Sequence, residues 1–350
     1  MNGILGLGKF LPPDVRRNDW WPKATVDKWR QRMRMAATQE PVDDDARRVM
    51  EAQLEYADDP FSGAVERRVM SPDMNASDME IAAARAALDD AGVDARDIDL
   101  VINESSTPDY LGTNTACVVH EALGLPRTAL TVSVQAACNG FHQQVTLADA
   151  LIASGRARRA LLVQSCGLSR LLPYDQPFSP LFGDAATAQV LGPVGEGRGL
   201  LAAHHRTDGS LGHTLLLETQ EGRWWNRGPV ALRNANPSAS HQMLVTLPRY
   251  ARETVGGVLK QAELQPSQVD FVAMHQAFPW YRRVVQKAVG LEHARALDTF
   301  SFAGSVWACN VPLVLATAQQ RGELNDGDLV VTQGGGSGMT YSSLALRWGR

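Results

Sequence analysis

The chain has 350 residues, 44% of them hydrophobic, and a formal net charge of −4. That length houses one large domain or two closely joined ones with an ample core, and the mild acidity argues against a basic nucleic-acid-binding face. No apolar run is long enough to span a bilayer, and the start Met1-Asn2-Gly3 enters an apolar segment without a charged region or cleavage site. A cytoplasmic location is the expectation. The basic residues include only five Lys, which reads first as a nucleotide-composition bias. The four cysteines, Cys117, Cys138, Cys166 and Cys309, form no C-x-x-C pair and have no histidines at zinc spacing, so neither a metal site nor a disulfide framework is expected.

From the N-terminus, the chain enters an apolar segment after Gly3. A segment of about residues 33–60, most marked from Gln39 to Pro60, then breaks the pattern. It carries Pro41, the acidic run Asp43-Asp44-Asp45 and a helix expected near Ala46–Tyr56. Its apolar stripe suggests a helix packed on the parent fold. A lid over a substrate entrance, tolerant of deletion, is one reading; a solvated surface helix is the other.

Two stretches then echo each other. Leu88, Ala91, Val93, Ile98, Asp99, Leu100 and Val101 reappear as Leu259, Ala262, Leu264, Val269, Asp270, Phe271 and Val272, all at an offset of 171. Leu147-Ala148-Asp149-Ala150, Gly155 and Ala160–Val163 reappear as Leu315-Ala316-Thr317-Ala318, Gly322 and Asp328–Val331, at offsets of 168, 167 and 168. Helices alternating with continuous apolar strands predict parallel sheets covered on both faces. The pattern predicts duplicated α/β halves, 1–195 and 196–350. A pseudo-twofold would then bring two helix N-termini to one site, with Cys138 before the first helix, Ser305 before the second, and His275 at the end of the strand Val269–Met274. Free N–H groups and partial positive charge there would acidify the thiol.

The strongest local signal is Ser133-Val134-Gln135-Ala136-Ala137-Cys138-Asn139-Gly140-Phe141. Small residues crowd the cysteine and a glycine follows, as in a strand-to-helix turn that exposes a nucleophile. Here the chain resembles β-ketoacyl-ACP synthase III and other thiolase-fold condensing enzymes. Ala136–Phe141 is similar to the family's A-A-C-A/S-G-F, His275-Gln276-Ala277 to its H-Q-A, and Phe182–Ala188 to F-G-D-G-A-G-A. Ser106–Tyr110 is similar to a loop before the cysteine, and Gly336–Thr340 to G-G-G-L/F-T. The motifs stand in family order over nearly the whole chain.

The resemblance implies a thiolase fold, with duplicated βαβ halves forming a layered α-β-α-β-α core, and an acyltransferase. Cys138 would carry the acyl group. Backbone N–H groups of Cys138 and Ser337 would form the oxyanion hole. His275 would donate a hydrogen bond or act as base, and Gly183 and Asp184 would be structural. Trp29, Phe278, Trp280, Gly336 and Gly338 are the candidate substrate- or carrier-binding residues. No cofactor is bound permanently; acyl-CoA or acyl-phosphopantetheine is substrate. The implied partners are an acyl carrier protein or coenzyme A thioester, a small-molecule acceptor and a second copy in a homodimer.

Four departures matter. The family's N-T-S-A-A-S-I/V-P reads Ser305-Val306-Trp307-Ala308-Cys309-Asn310-Val311-Pro312, so Ser305 stands at the catalytic asparagine position. Asn310, five residues on, is expected to lie inside the next helix turn and not to substitute. Phe278-Pro279-Trp280 replaces the family's Asn and nearby Arg, and Leu171–Pro180 lacks a nucleotide-contacting Arg. The segment noted above is the fourth. These suit a specialised relative in natural-product biosynthesis of the polyketide or fatty-acid type. With one amide missing, transfer to a heteroatom acceptor is favoured over decarboxylative condensation; a non-catalytic subunit of a heterodimer is the third reading. Chalcone-synthase-like spacing fits less well, and Gly334–Gly338 lacks nucleotide-binding spacing. Arg156, Arg158, Arg159, Arg282 and Arg283 could meet an acidic carrier, but ordinary solvated surface is the stronger reading for them.

Overall fold

The computed structural model describes residues 1–35 and 41–350; the start of the Gln39–Pro60 segment lies outside them. The first half contains β1 (Asn2–Phe10), β2 (Asp14–Arg17), α1 (Lys23–Met35), α2 (Asp44–Leu54), β3 (Glu66–Val69), α3 (Ala76–Ala91), β4 (Leu100–Ser105) and α4 (Ala116–Leu123). It continues with β5 (Leu130–Ser133), α5 (Gly140–Ala153), β6 (Ala160–Cys166) and β7 (Ala185–Pro193). The second half holds β8 (Gly199–Thr207), β9 (Leu215–Glu218), β10 (Ala231–Asn234), α6 (Pro237–Val245), α7 (Leu247–Gln261), β11 (Phe271–Met274) and α8 (Tyr281–Ala288). After these come β12 (Arg295–Ala296), α9 (Phe300–Ala303), α10 (Asn310–Gln320), β13 (Leu329–Gly336) and β14 (Thr340–Arg347).

Two five-stranded sheets follow the same plan. Their orders are β1-β7-β6-β4-β5 and β8-β14-β13-β11-β12. In each, the three strands at one end run parallel and the other two join antiparallel. The central strands β4, β6, β11 and β13 are buried along their whole length, as strands covered on both faces must be. Phe141 and Val145 of α5 and Val311, Val314 and Leu315 of α10 share one core with Leu100, Ile102, Phe271 and Val330. The two helices therefore lie between the sheets. α3 covers the outer face of the first sheet and α7 and α8 that of the second. The result is the α-β-α-β-α stack, with two similar halves.

The α2 helix sits on the second half. Asp43 caps it by accepting from Ala46 N at 2.8 Å. Val49 and Ala52 are buried against Leu247, Ala251, Trp280 and Val284. Asp45 pairs with Arg252, and Glu55 with Arg283 at 2.6 Å. The helix braces α6, α7 and α8 from behind, one layer away from the cavity described below. The idea of a dispensable lid gives way to a structural brace, because Val49 and Ala52 pack into the core and no described residue of α2 lines the cavity. Val49→Ala should cost roughly 1–3 kcal/mol, and excising the segment should cost more; thermal unfolding checks both.

Candidate active site

Each half ends a buried segment in a short 3₁₀ turn that feeds a central helix. Ala137–Asn139 precedes α5, and Trp307–Cys309 precedes α10. Ala137 and Trp307 both adopt the left-handed region, at φ +51° and +57°. Such conformations cost about 1–3 kcal/mol each, and they turn the next residue outward. The mate of Cys138 is therefore Ala308, whereas Ser305 lies just before the second turn, in a single bridge to Phe182.

Cys138, His275, Ser305, Trp307, Ser337 and Phe278 line one cavity of about 200 Å³. Its other walls include Phe178, Leu181, Phe182, Leu215, Met243 and Met339, which makes an apolar chamber. Gly336 packs against the cysteine turn: a Cβ built there would lie 2.6 Å from Ala136 O and 3.0 Å from Cys138 N. Only glycine admits that approach. Neither the Cys138 N–H nor the Ser337 N–H meets a backbone carbonyl among the described residues. The Ser337 hydroxyl donates to Leu215 O at 3.1 Å.

His275 is held by its own N–H, which donates to Gln333 O at 2.8 Å, and by the edge of Tyr281, with ring centroids 5.3 Å apart. Burial pulls its basicity down to about 3, so it is neutral. Burial and the nearby Glu104 carboxyl push the Cys138 thiol up to about 12. Burial favours the neutral thiol, the opposite direction to the expected acidification at a helix N-terminus.

The decisive side chain is Asn310. It is fully buried, and its Oδ1 accepts from Val306 N at 3.0 Å. That bond fixes which way the amide faces, since a flip would set NH₂ against N–H. Its Nδ2 then points to His275 Nδ1 at 3.1 Å, Ser305 Oγ at 3.3 Å and Trp307 O at 2.9 Å. The expectation that Asn310 lies out of reach is corrected: the turn at Trp307 folds the chain back, so the first residue of α10 faces the histidine.

Other expected contacts are redistributed. Trp29 is buried with Trp21 and Phe61, and its indole donates to Asp175 O at 2.8 Å; it cannot stack on a ligand. Trp280 is also buried and stacks behind Phe278, with centroids 5.0 Å apart, so only Phe278 reaches the cavity. Gly338 occupies the exposed turn at φ +141°. Asp184 is structural, accepting from Met70 N at 2.8 Å and Ser169 N at 2.9 Å. Arg282 and Arg283 pair with Asp298 and Glu55. Among the described residues no cluster of His, Cys, Asp and Glu suits a metal, and no helix is long and apolar enough to cross a membrane.

Three family models match the chain: 3-oxoacyl-(acyl-carrier-protein) synthase III over residues 132–209, its C-terminal part over 259–348, and the thiolase N-terminal domain over 64–170. β-Ketoacyl-(acyl-carrier-protein) synthase III of Bacillus pumilus is 31% identical over 351 residues, covering 99% of both chains. The crystal structure of 3-oxoacyl-(acyl carrier protein) synthase III from Pseudomonas aeruginosa superposes with a TM-score of 0.80 at 28% identity, over 100% of this chain and 98% of that one. Xanthomonas campestris OleA shares the fold, with a TM-score of 0.79 at 21% identity, over 99% and 98%. The fold is that of the thiolase superfamily. Within it, the chain belongs to the β-ketoacyl-ACP synthase III family.

Gly336→Ala tests the close approach. The added methyl should displace the cysteine turn, cost about 1–3 kcal/mol or more, and abolish acyl loading. Intact-mass analysis with an acyl thioester, beside thermal unfolding, reads both.

Proposed function

We propose that this chain carries out decarboxylative condensation, with Cys138 as acyl carrier and His275 and Ser305 as hydrogen-bond donors to the second substrate. The observation that carries the reading is the Asn310 Nδ2 to His275 Nδ1 contact. An N–H donated to Nδ1 leaves the ring proton on Nε2. Such a histidine donates into the cavity. To act as a base through Nε2 it would have to place a proton on Nδ1, facing an NH₂ group. Heteroatom transfer, favoured when the Ser305 departure is considered alone, needs that base. Condensation needs the donor. Asn310 also donates to Ser305 Oγ, which frees the serine hydroxyl hydrogen for substrate. The amide missing from position 305 thus has its counterpart at 310.

In this reading the Cys138 thiol attacks an acyl thioester. The oxyanion rests on the Cys138 and Ser337 N–H groups, and the departing thiolate takes up a proton as the carrier leaves. A malonyl-type thioester then loses carbon dioxide. Its enolate oxygen is held by His275 Nε2–H and Ser305 O–H, and its carbon attacks the Cys138 thioester. The product is a 3-oxoacyl thioester, and the released cysteine thiolate regains a proton. Acyl-CoA and acyl-phosphopantetheine both fit as donors, with a carrier-bound malonyl group as acceptor. The uncharged, aromatic cavity suits an apolar acyl group.

A homodimer is part of the same reading. β5 is an edge strand with unpaired backbone groups on its outer side. Leu130 on it, and Tyr110 and Leu111 in the loop before α4, are exposed, as a surface covered by a second copy would be.

The test supplies acyl-CoA and malonyl carrier protein and measures adduct mass and carbon dioxide release. An adduct should map to Cys138 and vanish in Cys138→Ala. Asn310→Leu should lower carbon dioxide release about 10²–10³-fold while still forming the adduct. An adduct on Cys117, or full release by Asn310→Leu, contradicts the reading.

A further inference from the structure

Trp307 is held in place at two costs that the proposed chemistry does not explain. It sits at φ +57°, and a bulky side chain in the left-handed region is an outlier. The equivalent turn of the first half takes the same conformation with Ala137, at φ +51°, so the turn itself asks for no indole. The second cost is polar. Trp307 is buried, and its Nε1–H meets no acceptor among the described residues. That N–H is turned toward the Glu104 carboxyl, which burial keeps protonated and which packs on Gly140 and accepts from Ala136 N at 3.4 Å. A buried tryptophan ordinarily finds a partner for its N–H. Two costs tolerated at one residue point to a use for the ring.

The ring is a wall. Trp307 lines the cavity together with Cys138 and Ser305. It also packs in an apolar cluster with Leu168, Leu172 and Leu232, none of which lines that cavity. The indole therefore stands between the space beside the nucleophile and more apolar protein behind it. It cannot easily shift, because the Trp307 carbonyl accepts from Asn310 Nδ2 at 2.9 Å and ties the backbone that carries the ring. The space it leaves is small. An apolar cavity of about 150 Å³ takes up one benzene molecule. On that scale about 200 Å³ holds about eight carbon atoms. The carrier arm of a thioester must reach back to solvent through the mouth, so the acyl tail has only the closed side.

We propose that Trp307 is the specificity-determining residue for the acyl group: its indole closes the cavity behind Cys138 and limits the loaded chain to about eight carbons. The proposal rests on Cys138 being the acyl carrier, and it names the substrate class of that step, a short to medium apolar acyl thioester.

The test follows loading of Cys138 by intact mass with butanoyl-, hexanoyl-, octanoyl-, dodecanoyl- and hexadecanoyl-CoA, in wild type, Trp307→Gly and Trp307→Phe. One methylene too many in an unyielding pocket costs about tenfold, so wild type should load hexanoyl at least about a hundredfold faster than dodecanoyl. Glycine suits the left-handed turn and removes the wall, and Trp307→Gly should shrink that ratio about tenfold or more. Trp307→Phe keeps most of the wall and should keep most of the ratio. A merely structural role lowers loading of every chain alike and leaves the ratio unchanged. That result, or a wild type that loads dodecanoyl as readily as hexanoyl, overturns the proposal. Should Trp307→Gly not fold, Trp307→Ala, with the residue of the equivalent turn, is read in its place, and the wild-type ratio decides if neither folds. Calorimetric binding of the same series to Cys138→Ala, with and without Trp307→Gly, needs no chemistry. If the size limit appears there while no acyl-CoA labels Cys138, the carrier role has failed and the limit stands; affinities that ignore Trp307 in that background overturn the limit.

Discussion

The arrangement around His275 depends on one amide held at both ends. Asn310 Oδ1 is fastened to the Val306 N–H, and its NH₂ serves His275, Ser305 and the Trp307 carbonyl. Two hydrogens shared among three acceptors leave the group little freedom. Because the group is fully buried, water cannot replace any of these bonds, and each unmade one would cost about 1–3 kcal/mol. The constraint sets the chemistry. A histidine that must accept at Nδ1 is neutral, is a donor at Nε2, and is poorly placed to take a proton there.

The backbone makes that constraint possible. Two left-handed residues, Ala137 and Trp307, turn their chains at equivalent places in the two halves. One turn presents Cys138 and the other brings Asn310 back toward Val306. The parallel strands behind them, buried along their whole length, hold the turns against each other. Gly336 and Gly140 allow contacts that any Cβ would block. Strain at the turns is thus offset by the packing of two sheets and two central helices. The α2 helix stiffens the opposite side by joining α7 and α8.

Much of this could be read from residue order. The common offset between Leu88–Val101 and Leu259–Val272 reflects strands and helices that occupy equivalent places in two sheets of one plan, so the repeat survives in the apolar pattern. Cys138 and His275 stand in motifs whose small neighbours are needed for a tight turn and a ligand. Asn310 was hidden because five residues along a helix is the wrong distance, and only the left-handed Trp307 converts that spacing into a contact. Trp29 misled for a different reason: its burial depends on Trp21, Phe61 and Asp175, the last 146 positions away, and no local pattern records that. Glu104 stands in the polar end of β4, Asn103-Glu104-Ser105, and that local pattern says nothing of the turns its side chain meets.

The most direct measurement is the tautomer of His275. Protein labelled with ¹⁵N at histidine gives two-bond correlations that distinguish a protonated Nε2 from a protonated Nδ1, and His275→Gln identifies the signal. The account predicts a single Nε2–H form that does not titrate from about pH 5 to about pH 8, and a shift toward mixed tautomers in Asn310→Leu. A ring protonated at Nδ1, or one that titrates near the ordinary histidine value of about 6.5, would contradict it.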